Sequence, residues 1–167
     1  MVLDTRQVVE SAGLDVNLVS VGGTVGYDVA AVMDGVTEVR AGSYALLDNT
    51  YRSHTPQFEP AARVMTTVTS LPEDEIIITD GGGKSIGGEW GNPSVDNVIG
   101  AEVHGLSAEH VNLRRPAALG DSLSLGSKVW LTPADGATCA NLHDYFFGIR
   151  DGCLESVWNI SARGQYR

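Results

Sequence analysis

The chain has 167 residues, 43% hydrophobic and 19% charged, with a formal net charge of −10. That length and apolar content fit one packed globular domain, or one domain plus a fragment, and exclude a disordered polypeptide. The acidic balance argues against nucleic acid or an anionic membrane as partner, since no basic stripe offsets phosphate repulsion. No apolar run approaches the roughly 20 residues of a membrane span. The start, Met1 to Arg6, lacks the features of a signal peptide, so cytoplasm is the expected compartment. Cys139 and Cys153 have no CxxC partner, which leaves no disulfide framework and no zinc knuckle.

Residues 3–12 read as a short helix with Val8, Val9 and Ala12 on one side and Gly13 as its stop. An apolar run (Leu18, Val19, Val21) then enters a glycine turn, Gly22-Gly23-Thr24-Val25-Gly26, and a helix over Tyr27–Met33 leaves it. Strand, glycine turn and helix together leave backbone N–H groups free at a helix start, where a phosphate can sit. The same glycines also suit a plain tight turn, and their spacing is neither the dinucleotide fingerprint nor a P-loop.

From Val36 onward short β-type runs alternate with turn signals. They are Val36–Arg40, Tyr44–Asp48, Arg63–Ser70, Glu75–Asp80, Val98–His104, His110–Leu113, Ser122–Leu125, Lys128–Leu131, Asp144–Arg150 and Cys153–Ile160. Strands at spacings of about ten predict an antiparallel barrel or sandwich. Leu119-Gly-Asp-Ser and Arg150-Asp-Gly-Cys are hairpin signals. The Gly81–Ser85 stretch superficially resembles a phosphate loop but lacks its strand–loop–helix setting, so it reads as a turn, and Gly87–Pro93 reads as a loop. The organisation is thus an αβα segment over 1–35 and an all-β segment over 36–167. The first is too small to bury its own faces and must pack on something else.

In this order the segments resemble the C-terminal part of the D-serine dehydratase and D-threonine aldolase family, fold-type III pyridoxal phosphate enzymes related to alanine racemase. Ser20–Thr24 resembles the last phosphate-binding turn of the family's barrel. Val36–Tyr51 resembles the start of its β domain. Thr79–Ser85 resembles its Asp-Ala-Gly-x-Lys turn, and Ala101–Leu106 its Glu-Glu-His-Gly segment. Gly120–Asp144, then Arg150-Asp-Gly and Ala162-Arg-Gly, resemble its closing stretch and natural C-terminus.

The resemblance implies an α+β fold: a β-rich C-terminal domain preceded by the last βα unit of a truncated (β/α)8 barrel. Residues 1–35 would be the barrel remnant and 36–167 the β domain. It implies pyridoxal-phosphate-dependent elimination or retro-aldol cleavage of β-hydroxy D-amino acids, with the cofactor phosphate on Gly22, Gly23 and Thr24 and with His104 and Tyr44 on the site wall. A small-molecule amino acid is the implied substrate and a homo- or hetero-oligomer the implied assembly.

Two departures accompany it. The family holds its cofactor as a Schiff base through a lysine early in the barrel, whereas the lysines here, Lys84 and Lys128, lie in the β region. The family also binds a divalent metal through a histidine and, two residues on, a cysteine or aspartate. Aligned on Pro133 and Asn141–Asp144, those positions fall on Asp135 and Ala137, and Cys139 lies two residues further. Asp135 is thus the one candidate metal ligand, with a slipped Asp135–Cys139 site as its variant and a small buried residue as the other reading of Cys139. These departures imply a chain inactive alone, with a split-enzyme subunit or a non-catalytic β-domain module as alternatives. His104 reads as a site group or a hydrogen-bonded strand residue, and Tyr44 and Tyr51 as site groups or packing aromatics. His143 reads as structural, and His54 and His110 as surface residues.

Overall fold

The computed structural model describes residues 1–115 and 123–165. The chain opens with α1 (Val2–Ser11), stopped by Gly13 at φ +84°. Next come β1 (Ser20–Val21), α2 (Tyr27–Ala31) and β2 (Glu38–Val39). β2 pairs with β1 in parallel, Ser20 opposite Glu38 and Val21 opposite Val39. The strand read from Val36–Arg40 therefore closes a βαβ unit instead of starting the antiparallel sheet. The Ser20 hydroxyl donates to the Glu38 carboxylate, and together with Arg40 it holds that carboxyl below its ordinary pKa.

A 3₁₀ turn (Ser43–Ala45) and α3 (Asn49–Arg52) replace the β-type run expected over Tyr44–Asp48. The run is apolar, but Asp48 ends it by capping α3, so the backbone coils before it can pair.

The main sheet has six antiparallel strands: β3 (Val64–Glu73), β4 (Ile76–Thr79), β5 (Ser94–Val95), β6 (Glu102–Leu106), β7 (Val111–Arg114) and β8 (Lys128–Thr132). Their order is β5-β8-β3-β4-β7-β6. The terminal strands β5 and β6 approach one another, and Asn92 Nδ2 donates to Val103 O across the gap at 3.2 Å, giving a nearly closed barrel. Its interior holds Val68, Ile77, Val111, Leu113, Val129 and Leu131, each at most 1% exposed. These are the alternate residues of strands rich in β-branched side chains, which fit a pleated surface buried on one face. Of the run Val98–His104 only the end from Glu102 is strand. The predicted turn Leu119–Ser122 lies outside the described residues, as does Ser122 of the run Ser122–Leu125, whose other residues form no strand.

Two short helices cover the barrel. α4 (Gly83–Ile86) follows β4 after three residues, so the Gly81–Ser85 stretch runs from just beyond a strand into a helical turn, which corrects its reading as a turn alone. Three of its amides are already used: Gly83 N–H donates to Ser107 O at 2.8 Å, Lys84 N–H to Ala108 O at 3.1 Å and Gly82 N–H to Ser85 Oγ at 3.0 Å. α5 (Gly136–Asn141) lies beside α4. β9 (Tyr145–Arg150) and β10 (Cys153–Asn159) form a separate hairpin. Asp151 and Gly152, at φ +51° and +75°, make its tight turn, as the Asp-Gly pair predicts.

Candidate functional site

The glycine turn lies between β1 and α2. Gly22 is at φ +79°, and a Cβ there would meet the Ala30 Cβ at 3.1 Å, so glycine lets the strand and helix close together. Gly23 faces open space, with only Arg40 O at 4.0 Å from such a Cβ. Gly26 N–H closes the turn onto Gly23 O at 3.3 Å. Among the described residues, the N–H groups of Gly23, Thr24 and Val25 donate to no protein acceptor. Consecutive unpaired amides with a glycine facing outward fit a phosphate group.

Thr24 is only 3% exposed, and its hydroxyl accepts the Tyr44 N–H at 3.1 Å. Two sequence-predicted residues thereby meet. The Tyr44 ring packs on Phe58, centroids 5.4 Å apart, and Phe58 packs on Tyr27 at 5.7 Å. Gln57 Nε2 donates to the Tyr27 hydroxyl at 3.4 Å. Phe58 was not singled out in the sequence. Its one signal is a lone large aromatic in the turn-rich stretch from His54 to Pro60.

Four residues beyond Tyr44, the buried Asp48 joins distant segments. Its Oδ1 accepts Tyr51 N–H at 3.2 Å, capping α3, and its Oδ2 accepts Gly136 N–H at 2.8 Å, at the start of α5. Asn49 and Thr50 N–H groups donate to Pro133 O and Ala134 O at 3.1 and 3.2 Å. Contacts therefore run continuously from the glycine turn through Tyr44 and Asp48 to the segment holding Asp135.

Asp135 is the N-cap of α5, its Oδ1 accepting Thr138 N–H at 2.7 Å. Ala137 offers only a methyl group. Cys139 is buried, its Sγ 3.7 Å from Ser85 O. Burial first, and then the Asp135 charge, push its thiol pKa up to about 11. His143 Nε2 lies 2.6 Å from Ser85 O, a structural tie of α5 to α4. Among the described residues, no three His, Cys, Asp or Glu side chains converge on a point. This donor set does not fit a divalent cation, and no chemical step is derived through one.

His104 stands apart from this chain of contacts. It is the extra residue of a β-bulge in β6, between the pairs Val103–Leu113 and Gly105–Asn112, and its side chain is exposed. No hydrogen bond joins it to Thr24, Tyr44 or Asp135. Bulges re-aim side chains, often beside binding sites. The loop before β5 reaches the same strand through Asn92, and its Glu89 carboxylate accepts its own and the Gly88 N–H, which lowers its pKa. Lys84 pairs with Glu109, and Lys128 Nζ donates to Thr67 Oγ1 at 2.8 Å, so neither lysine belongs to the turn.

Comparison with known proteins gives consistent matches. A D-threonine aldolase of Arthrobacter sp. is 33% identical over 163 residues, covering 95% of this chain and 42% of the relative. A 3-hydroxy-D-aspartate aldolase of Paracoccus denitrificans is 28% identical over 98% of this chain and 44% of its own length. The crystal structure of D-threonine aldolase from Filomicrobium marinum superposes with a TM-score of 0.91 at 27% identity, covering 99% of this chain and 47% of that one. The chain thus spans less than half the length of these relatives. Residues 61–149 match the putative serine dehydratase domain, and with more than half of its residues in that match the chain belongs to the putative serine dehydratase domain family.

Proposed function

We propose that this chain is the C-terminal portion of a cytoplasmic, oligomeric pyridoxal-phosphate-dependent lyase acting on β-hydroxy D-amino acids, of the D-threonine aldolase or D-serine dehydratase type. The observation that carries the reading is the glycine turn: three unpaired amides held against the lead-in of the β domain by the Thr24–Tyr44 bond. Residues 1–35 are read as barrel-derived and 36–167 as the β domain, with β2 at the junction pairing back onto β1. Pyridoxal phosphate, when bound, supplies an electron sink for the carbanion left by bond cleavage. Gly22, Gly23 and Thr24 would hold its phosphate through the turn. Gly23 is the point where the anion reaches the backbone most closely, and Thr24 keeps a hydroxyl proton to donate after accepting from Tyr44. The half-exposed Tyr44 ring forms a wall beside the turn and limits water there. His104, aimed outward by its bulge, is a group able to hold or move a proton at a substrate hydroxyl. Asp135 serves as a helix cap in this reading.

Both lysines of the chain are engaged with Glu109 and Thr67 on the β side of the molecule. The covalent attachment of the cofactor therefore needs a lysine from polypeptide beyond these residues, and the chain alone is proposed to be inactive. The test is an absorbance titration with pyridoxal phosphate, on the chain alone and then mixed with the lysine-bearing barrel half of a relative. A protein-bound band in the mixture only is expected. A band with the chain alone would assign attachment to Lys84 or Lys128 and overturn the reading. No band in either case would leave a non-catalytic β-domain module.

A further inference from the structure

We infer that Phe58 is a positioning residue that fixes the glycine turn for phosphate, an inference that rests on the reading of that turn given above. Phe58 takes no part in the core of the barrel, yet its ring touches both ends of the turn's immediate surroundings. On one side is Tyr27, the first residue of α2 and one position beyond the turn, with ring planes inclined at 50°. On the other is Tyr44, inclined at 42°, whose N–H is the donor to Thr24. Tilted rings at 5.4 and 5.7 Å lie within the favourable range for aromatic pairs.

Phe58 is itself held rigidly. Its N–H donates to Thr55 O at 3.1 Å, and the buried Thr55 anchors through its hydroxyl to Tyr51 O at 2.9 Å. Downstream, Ala61 and Ala62 N–H groups both donate to Leu46 O, at 2.7 and 3.1 Å. The segment thus forms a strap fixed at its two ends, with one ring set between two tyrosines. The turn has few other ties to the β side, the clearest being the single 3.1 Å bond between Tyr44 and Thr24. Removing the ring frees Tyr44 to move and leaves that bond without lateral support. The amides of Gly23, Thr24 and Val25 then lose their common direction, and an anion contacting several of them at once binds less well.

The test uses the chain as it stands, with amide hydrogen exchange and nitrogen-15 NMR as readouts and inorganic phosphate as the probe. In the wild type, the Tyr44 amide is expected to be protected, and phosphate to shift the Gly23, Thr24 and Val25 signals saturably. In Phe58→Ala, Tyr44 exchange is expected to accelerate at least tenfold and phosphate affinity to fall at least fivefold, while the Leu113 and Ile77 amides keep their protection. Phe58→Tyr restores both values, since it keeps the ring. Should Phe58→Ala not fold, Phe58→Leu removes the ring at similar volume and takes the same measurements. Unchanged Tyr44 exchange and phosphate affinity in the ring-less variant overturn the inference. A wild type whose turn signals ignore phosphate overturns the phosphate reading itself, and Tyr44 exchange then reports on the clamp separately.

Discussion

Replacing Asp48 with alanine removes two hydrogen bonds that no neighbour can replace. The carboxylate is 4% exposed, caps α3 through Tyr51 N–H and accepts the Gly136 N–H that opens α5. Loss of an N-cap costs about 1 kcal/mol. The buried Gly136 amide, left without an acceptor, costs roughly another 1–3 kcal/mol. Relief of the carboxylate's own burial offsets part of this, so the net expectation is about 2–3 kcal/mol. For a chain of this size that corresponds to a fall in Tm of roughly 4–12 °C. Urea unfolding followed by far-ultraviolet circular dichroism measures it, and an unchanged m-value shows that the unfolding reaction itself is the same. Asp48→Asn keeps one acceptor and should fall between the wild type and Asp48→Ala. A loss below ~0.5 kcal/mol for Asp48→Ala would refute the claim that this carboxylate ties the two helix starts together.

Asp135→Ala should cost only about 1 kcal/mol, the value of one cap, and added manganese should stabilise neither that variant nor the wild type in a thermal melt. Gly22→Ala should destabilise by about 2 kcal/mol, because the left-handed backbone and the nearby Ala30 methyl both oppose a Cβ. Gly26→Ala, with nothing within 4 Å of the new atom, should stay within ~0.5 kcal/mol, and the same denaturation series compares them. Exposed Cys153 should react with a thiol reagent at pH 8 well before buried Cys139. Cys139 also predicts alkaline instability. Its folded pKa is raised from 9.0 to about 11, so the folded state binds more protons in that window. Stability is therefore complete below pH 9 and lost as pH rises towards 11, and Cys139→Ser should flatten the fall in a pH-dependent melt.

The barrel was legible where local signals agree with the final packing. The runs feeding β3, β4, β7 and β8 are β-branched or alternating, and Asp151-Gly152 marks its hairpin by chemistry specific to that turn. What escaped were features decided by distant partners. α5 is six residues long, less than two helical turns, too few for an apolar period to stand out, and its one local signpost is Asp135, three residues before Thr138. The Tyr44–Asp48 run has the apolar content of a strand, but Asp48 is committed to Gly136, 88 residues away. β2 shows the same limit: two residues alternate equally well in a parallel or an antiparallel pair, and only β1 selects between them. In the site, the glycines and Thr24 could be read because their backbone demands are local, whereas Phe58 could not, because its role exists only once Tyr27 and Tyr44 are brought to either side of it.

The apolar surface left in view also separates the two parts of the chain. Val25, Val29, Val32 and Met33 around α2 are exposed, and so is Leu18 just before β1. Parallel strands are stable when covered on both faces, and a two-stranded parallel pair has no core of its own. The βαβ unit therefore owes its place to the contacts that reach across to the β side: Thr24 with Tyr44, and Tyr27 with Phe58. The nearly closed barrel behind them is filled by side chains such as Ile77 and Leu113 at 0% exposure. In the reading proposed above, the glycine turn held on the edge of this domain orients the anionic phosphate. On the same reading the nucleophilic lysine is neither Lys84, paired with Glu109, nor Lys128, bonded to Thr67. Under the proposed function, orientation and covalent attachment reside on different polypeptide segments, and activity is expected only where the exposed face of α2 and the edges of β1 and β2 are covered by the segment that brings that lysine.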